Sequence, residues 1–165
     1  MKNKSKTISF LGLCTALALV LSYLEAIIPP VFPAVPGIKM GLPNIVLIFV
    51  LYRYGGGKAL TVSLLRVVLV SILFGNGMAF LYSLAGARLS MGVMVLLKRT
   101  NLLSTVGVSV AGGVAHNVGQ ILMAMLLLET TELIYYLVIL AISGTLAGIL
   151  IGLCGASMVR KIPEI

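Results

Sequence analysis

Apolar runs of roughly 20 residues recur along the chain, parted by short polar turns, the length needed to cross a bilayer as a helix. The pattern predicts six spans, at about 8–28, 42–54, 59–74, 78–97, 102–128 and 133–159. The second is short, with a rise of only about 20 Å. It needs the segment before it to complete the crossing. That segment, "PPVFPAVPGIKMGLPN" from Pro29 to Asn44, holds five of the six prolines. Proline removes a backbone donor and disfavours helical geometry in the residue before it, so this stretch is not a regular helix.

Composition agrees with the pattern. Of 165 residues, 60% are hydrophobic and 10% charged, with a mean hydropathy of +1.17; a soluble domain carries about 25% charged residues. The expected fold is an all-α membrane protein, one integral domain over residues 1–165. The start "MKNKSK" plus an apolar run resembles a signal peptide, but the run is long, further spans follow and no convincing cleavage site precedes the prolines. It is expected to be a retained first span.

The net charge of +8 does not point to nucleic acid, because the cations sit beside span ends. With the N-terminus inside, Lys2, Lys4, Lys6, Arg53, Lys58, Lys98, Arg99, Arg160 and Lys161 are cytoplasmic, and Lys39 alone is outside, beside Glu129 and Glu132. The positive-inside pattern therefore predicts both ends in the cytoplasm of a bacterial cell, and the proline segment outside. Cys14 and Cys154 lie in apolar spans without a CxxC pairing and read as small buried hydrophobes.

Small residues recur at helical spacing: Gly107, Ala111, Ala115 and Gly119 on the fifth span, Gly144, Gly148, Gly152 and Ala156 on the sixth, Gly12 and Ala16 on the first. Such stripes let helices approach closely, either within the bundle or against a partner protein. Partner docking fits Gly12 and Ala16 best, near the cytoplasmic end.

Ionisable residues inside a bilayer are costly and mark functional sites by default. Arg66 lies midway along the third span; His116, Asn117 and Gln120 lie in the outer half of the fifth. His116 and Gln120 share a helix face. Lys39 adds a cation to the proline segment, and Pro43 suits the first turn of the second helix, whose free amides would face an outer pocket. The expected ligand-binding set is Lys39, Asn44, Arg66, Asn76, His116, Asn117 and Gln120, around an anionic or amphipathic small molecule. Arg66 as a plain structural tie, and the proline segment as a plain connector, remain the alternatives. Arg88 is also mid-span, and Glu25 is near the outer end of the first; the sequence assigns neither a role.

Several chemistries drop out. There is no aspartate, and the acids are Glu25, Glu129, Glu132 and Glu164. An aspartate-rich magnesium site for diphosphate chemistry is therefore absent. "GGGKAL" at 55–60 lacks the Walker spacing and the following Ser or Thr. One histidine and no CxxCH argue against bound redox metal. No cofactor and no metal site is expected, and nothing points to an enzyme.

Four stretches together, "GIKMGLPNIV" (37–46), "SLLRVVLVSILFGN" (63–76), "SLAGARLSMGVM" (83–94) and "AHNVGQIL" (115–122), resemble the Gx transporter proteins, also described as heptaprenyl diphosphate synthase component I. Arg88 stands where that family is expected to carry an apolar residue. The family's six-span plan resembles the substrate-capturing S-components of energy-coupling-factor transporters. The resemblance implies a small solute bound near the outer face, energy-coupling-factor transmembrane and ATPase subunits as partners, and Gly12 and Ala16 as docking residues. The alternative it admits is a non-catalytic membrane component of prenyl diphosphate or quinone synthesis, or of a quinone- or flavin-linked electron-export system.

Overall fold

A computed structural model of the protein describes residues 2–27, 41–74 and 77–162. These form helices α1 (Lys2–Ile27), α2 (Asn44–Tyr54), α3 (Gly56–Phe74), α4 (Gly77–Thr100), α5 (Thr105–Leu128) and α6 (Tyr136–Lys161), with a 3-10 turn over Glu132–Tyr135 leading into the last. There is no strand among the described residues. Five helices, all but α2, are long and apolar enough to cross a membrane. Large side chains such as Ile72, Leu126, Val138 and Leu150 are mostly exposed on the outer surface of the bundle, the distribution lipid contact requires.

Helix ends follow local chemistry. Gly55, at φ +90°, reverses the chain between α2 and α3 in one residue, and its N–H closes α2 on the Leu51 carbonyl. α3 therefore starts at Gly56, three residues before the apolar pattern begins. Ser104 caps α5 by accepting from the Gly107 N–H at 3.2 Å, which leaves Leu102 and Leu103 outside the helix. Glu129, in the left-handed region at φ 51°, ends α5.

α2 occupies the centre. Val46 through Leu51 are all 2% exposed or less, because its run has no polar face and must be covered all round. α1, α3 and α6 cover it. Phe10 of α1 packs on Phe49 and Tyr54, with ring centroids 6.1 and 5.5 Å apart. α5 makes its largest contacts with α4 and α6. On α6, a Cβ at Gly144 would lie 3.2 Å from the Gly113 backbone, one at Gly148 2.6 Å from Val110 Cα, and one at Gly152 2.7 Å from Val106 Cα. The α6 stripe is thus internal packing. The α5 stripe divides: Gly119 backs onto Ala85 and Gly86 of α4, Gly107 meets only Leu103, and the glycine facing α6 is Gly113.

Two cations tie helix ends together. Lys98 Nζ donates to the Leu51 carbonyl at 2.6 Å and lies 5.0 Å from the Tyr52 ring centroid. Arg53 Nη2 donates to the Val159 carbonyl. Cations belong at such C-termini, where the negative end of the helix dipole lies and a carbonyl oxygen keeps a second lone pair to accept with. These contacts, with the Phe10–Tyr54 pair, place the start of α1 and the ends of α2, α4 and α6 at one end of the bundle. Lys4, Lys6, Lys58, Arg99, Arg160 and Lys161 lie on the adjoining turns. Lys98→Met should lower stability by roughly 1–2 kcal/mol, from loss of a charge-assisted bond to a helix C-terminus. Unfolding by SDS in mixed micelles measures this; an unchanged midpoint would show that the bond contributes nothing.

Candidate functional site

Arg66, Asn44, His116, Asn117 and Gln120 line one enclosed cavity of about 50 Å³ between α2, α3, α4, α5 and α6. Residues from the whole length of the chain meet there. Lys39 and Asn76 fall outside the described residues, as does most of the proline segment.

α1 organises the cavity's charged edge. Ser22 and Glu25 are three residues apart on one helix face. Arg66 Nη1 donates to Ser22 Oγ at 3.5 Å, and Ser22 Oγ donates to the Ala18 carbonyl at 2.8 Å. Glu25 Oε1 accepts from the Gly41 N–H, and its charge acts on Arg66. One carboxylate therefore holds the entry to α2 and offsets the guanidinium. Arg66 Nε is buried and has no hydrogen-bond partner among the described residues. A buried donor without a partner costs about 1–3 kcal/mol, a cost that a water or a ligand oxygen in the cavity removes.

The start of α2 differs from the sequence expectation. Gly41, at φ +74°, opens a turn in which Asn44 N–H donates to the Gly41 carbonyl at 2.8 Å, Ile45 N–H to Leu42 at 3.1 Å and Val46 N–H to Pro43 at 3.1 Å. The first amides of α2 are spent on these turn carbonyls. They are not free to hold an anion, and α2's contribution to the cavity is its side chains, Asn44 and Ile48, with Gly41.

α5 supplies most of the wall. Gly112 and Gly113 face different neighbours: a Cβ at Gly112 would meet Met94 of α4, and one at Gly113 the Gly144 carbonyl of α6. The pair lets two helices close on α5 while His116, Asn117 and Gln120 reach the space between them. His116 sits against α4, where Gly86 leaves room; a Cβ there would be 2.8 Å from the His116 carbonyl and 3.0 Å from Cε1. Asn117 Nδ2 donates to the Leu140 carbonyl at 2.6 Å, so this side chain also ties α5 to α6. Ser90 and Ser109, nearly fully buried, complete the polar lining. They and Ser22 were not foreseen, since a lone serine in an apolar span gives no distinguishing pattern.

Among the described residues no carboxylate lines the cavity, and Arg66 is the one formal cation in its wall. Drug-sized pockets occupy about 300–1,000 Å³, so the enclosed space fits a compact polar group or a few waters. Gly12 and Ala16 are exposed on α1, and a Cβ at Gly12 would meet nothing within 4 Å. Among the described residues no group of His, Cys or Glu side chains is placed to hold a metal ion.

Helices and cavity together define a polytopic helical membrane protein with an enclosed polar chamber. The chain belongs to the family described as heptaprenyl diphosphate synthase component I, whose model matches residues 14–158. No curated protein and no solved structure matches it.

Proposed function

We propose that the chain is a membrane solute-binding subunit, S-component-like, that takes a small anionic group, or the anionic head of an amphiphile, into the Arg66 cavity. The observation that supports it best is Arg66 Nε, buried and without a partner among the described residues, on a cavity lined by His116, Gln120, Asn44 and two serines, with no acid among the described residues of the wall. Irregular backbone and ionisable groups at membrane depth are tolerated where they line a cavity. A solute larger than the enclosed space enters only if the helices around it part. Gly12 and Ala16, exposed on α1, suit docking onto energy-coupling-factor transmembrane and ATPase subunits. Native mass spectrometry of the protein released from its own membranes tests this reading. A retained anionic small molecule is the expected result; a protein that never carries one, at any detergent or lipid condition that keeps it folded, overturns it.

In this reading the bundle crosses a bacterial cytoplasmic membrane with its basic end inside. α2, with the segment before it, completes a sixth crossing, and both ends of the chain are cytoplasmic. Cysteines placed at Ser5 and at Glu129, in a background without Cys14 and Cys154, check this. An impermeant maleimide should label position 129 in intact cells and position 5 only after lysis. Labelling of position 5 in intact cells would reverse the orientation.

A second reading follows from the family's description. The chain then serves as a non-catalytic membrane component of heptaprenyl diphosphate synthesis. Its sequence has no aspartate to hold the magnesium of diphosphate chemistry, so a soluble partner would carry the catalysis. Co-purification with an aspartate-rich synthase favours this reading; co-purification with ATPase-bearing subunits favours the first.

A further inference from the structure

A second feature lies away from the cavity. A groove of about 770 Å³ runs along the bundle surface between α3 and α4, with Leu60, Leu64, Met91 and Val95 among its walls and two arginines, Arg88 and Arg99, in it. The arginines are eleven positions apart. Eleven steps of about 100° bring them back to one face of α4, three turns and about 17 Å apart along its axis. Arg99 is in the last turn, beside Lys98. Arg88 is at the midpoint of α4, about 17 Å from either end. Both are exposed, and neither makes a hydrogen bond or ion pair with a described residue.

An arginine exposed at mid-bilayer is costly, and such residues in membrane proteins face a partner or a wet cavity. No acid lines the groove among the described residues. A lipid phosphate, at the headgroup level, neutralises Arg99 but lies some three helical turns from Arg88. A second copy of this chain does not serve either. Of its four acids, Glu25 is engaged by the Gly41 N–H, Glu129 and Glu132 flank the turn between α5 and α6, remote from mid-span, and Glu164 comes after the end of α6 in the sequence. The groove is also shaped for close approach: Cβ atoms at Gly57 and Gly92 would meet nothing within 4 Å. Open glycines facing outward are what a crossing helix packs against.

We propose that the α3–α4 groove seats a transmembrane helix of another protein, one that carries a carboxylate at mid-membrane against Arg88 and packs on Gly57 and Gly92. The pairing removes the cost of the exposed guanidinium and selects the partner, since a helix without an acid leaves Arg88 buried and unpaired. Arg99 then meets an acid or a lipid phosphate where the partner helix leaves the bilayer. The proposal is independent of what the Arg66 cavity binds.

Purified protein in neutral phosphatidylcholine vesicles, with synthetic 25-residue leucine–alanine helices as probes, tests the charge pairing. A probe with one central glutamate should associate at least about 5-fold more tightly, by energy transfer, than the same probe with glutamine. Arg88→Leu should abolish the difference and Arg88→Lys should keep it. Arg88→Leu removes an exposed charge, so it should fold, and its SDS-unfolding midpoint verifies that. Equal association of the two probes, or a difference that survives Arg88→Leu, overturns the proposal. In host cells, a photoreactive side chain at Leu96 identifies the occupant. The expected adduct is another membrane protein, joined through a span containing Asp or Glu, and lost with Arg88→Leu. Adducts to lipid alone, to a second copy, or to nothing overturn it.

Discussion

Replacing Gly148 by leucine should disrupt the bundle. A Cβ at this position would lie 2.6 Å from Val110 Cα and 3.2 Å from the Ser109 carbonyl. Both obstacles are backbone, so no rotamer change relieves them. The helices must separate, and the Gly144–Gly113 approach one turn away opens with them. Overpacking a tight core costs typically 1–3 kcal/mol and occasionally more; leucine at a backbone–backbone crossing belongs at the upper end, about 3 kcal/mol or beyond. Gly148→Ala should cost less, because part of the clash is offset by alanine's helix preference of about 1 kcal/mol. Gly12→Ala is the matched control: its Cβ meets nothing, so it should be neutral or slightly stabilising. SDS-unfolding midpoints of the three variants order the series. A Gly148→Leu protein as resistant as wild type would mean that α5 and α6 do not cross at this residue.

Arg66→Gln should act on ligand retention before it acts on folding. The substitution removes the cavity's formal cation but keeps a donor near Ser22. If an anion is bound there, losing a charge-assisted hydrogen bond should weaken it by about 1–3 kcal/mol, or roughly 5- to 150-fold. Arg66→Lys keeps the charge but not the planar fork and should fall between. The competing role is a tie between α3 and α1 through Ser22 and Glu25. In that case Arg66→Gln lowers the SDS midpoint while the folded fraction carries the same molecule at the same occupancy, as native mass spectrometry would show. That result would remove the anion-binding reading. A Ser22→Ala variant separates the two roles further, since it cuts the tether and leaves the guanidinium.

The helices were legible because most of the apolar runs have the length of a span, and Gly55 and Glu129 follow directly on two of the predicted ends; the Ser104 cap, inside the run expected from Leu102, was not read. The central position of α2 was implicit in "IVLIFVLY", a run with no polar face to turn outward. The convergence of Arg66, Asn44, His116, Asn117 and Gln120 on one cavity could be anticipated only from cost: polar groups at membrane depth collect where they can be satisfied. Three things were not legible. Ser22, Ser90 and Ser109 are cheap in any apolar helix, because a hydroxyl can bond to its own helix's carbonyls, so they carry no signal. The first amides of α2 are spent on turn carbonyls, which depends on φ at Gly41 rather than on spacing. The face that α5 turns to α6 is set by Gly113, which lies off the stripe; with neighbours on two sides, periodicity alone does not choose between them.

The shortness of α2 has a consequence for how the protein is made. Eleven residues do not reach across a membrane, and every side of this helix is covered by another part of the chain. Part of that cover, Gly155 against Ile48 and the Val159 carbonyl on Arg53, comes from α6, which the ribosome delivers last. It follows that α2 cannot be committed to its final place when it leaves the insertion machinery. It must wait, held to α3 by the one-residue reversal at Gly55, until the end of the chain arrives to close over it. Assembly of this bundle is therefore completed from the outside of the sequence inward, with its most deeply buried helix among the last elements to be fully enclosed.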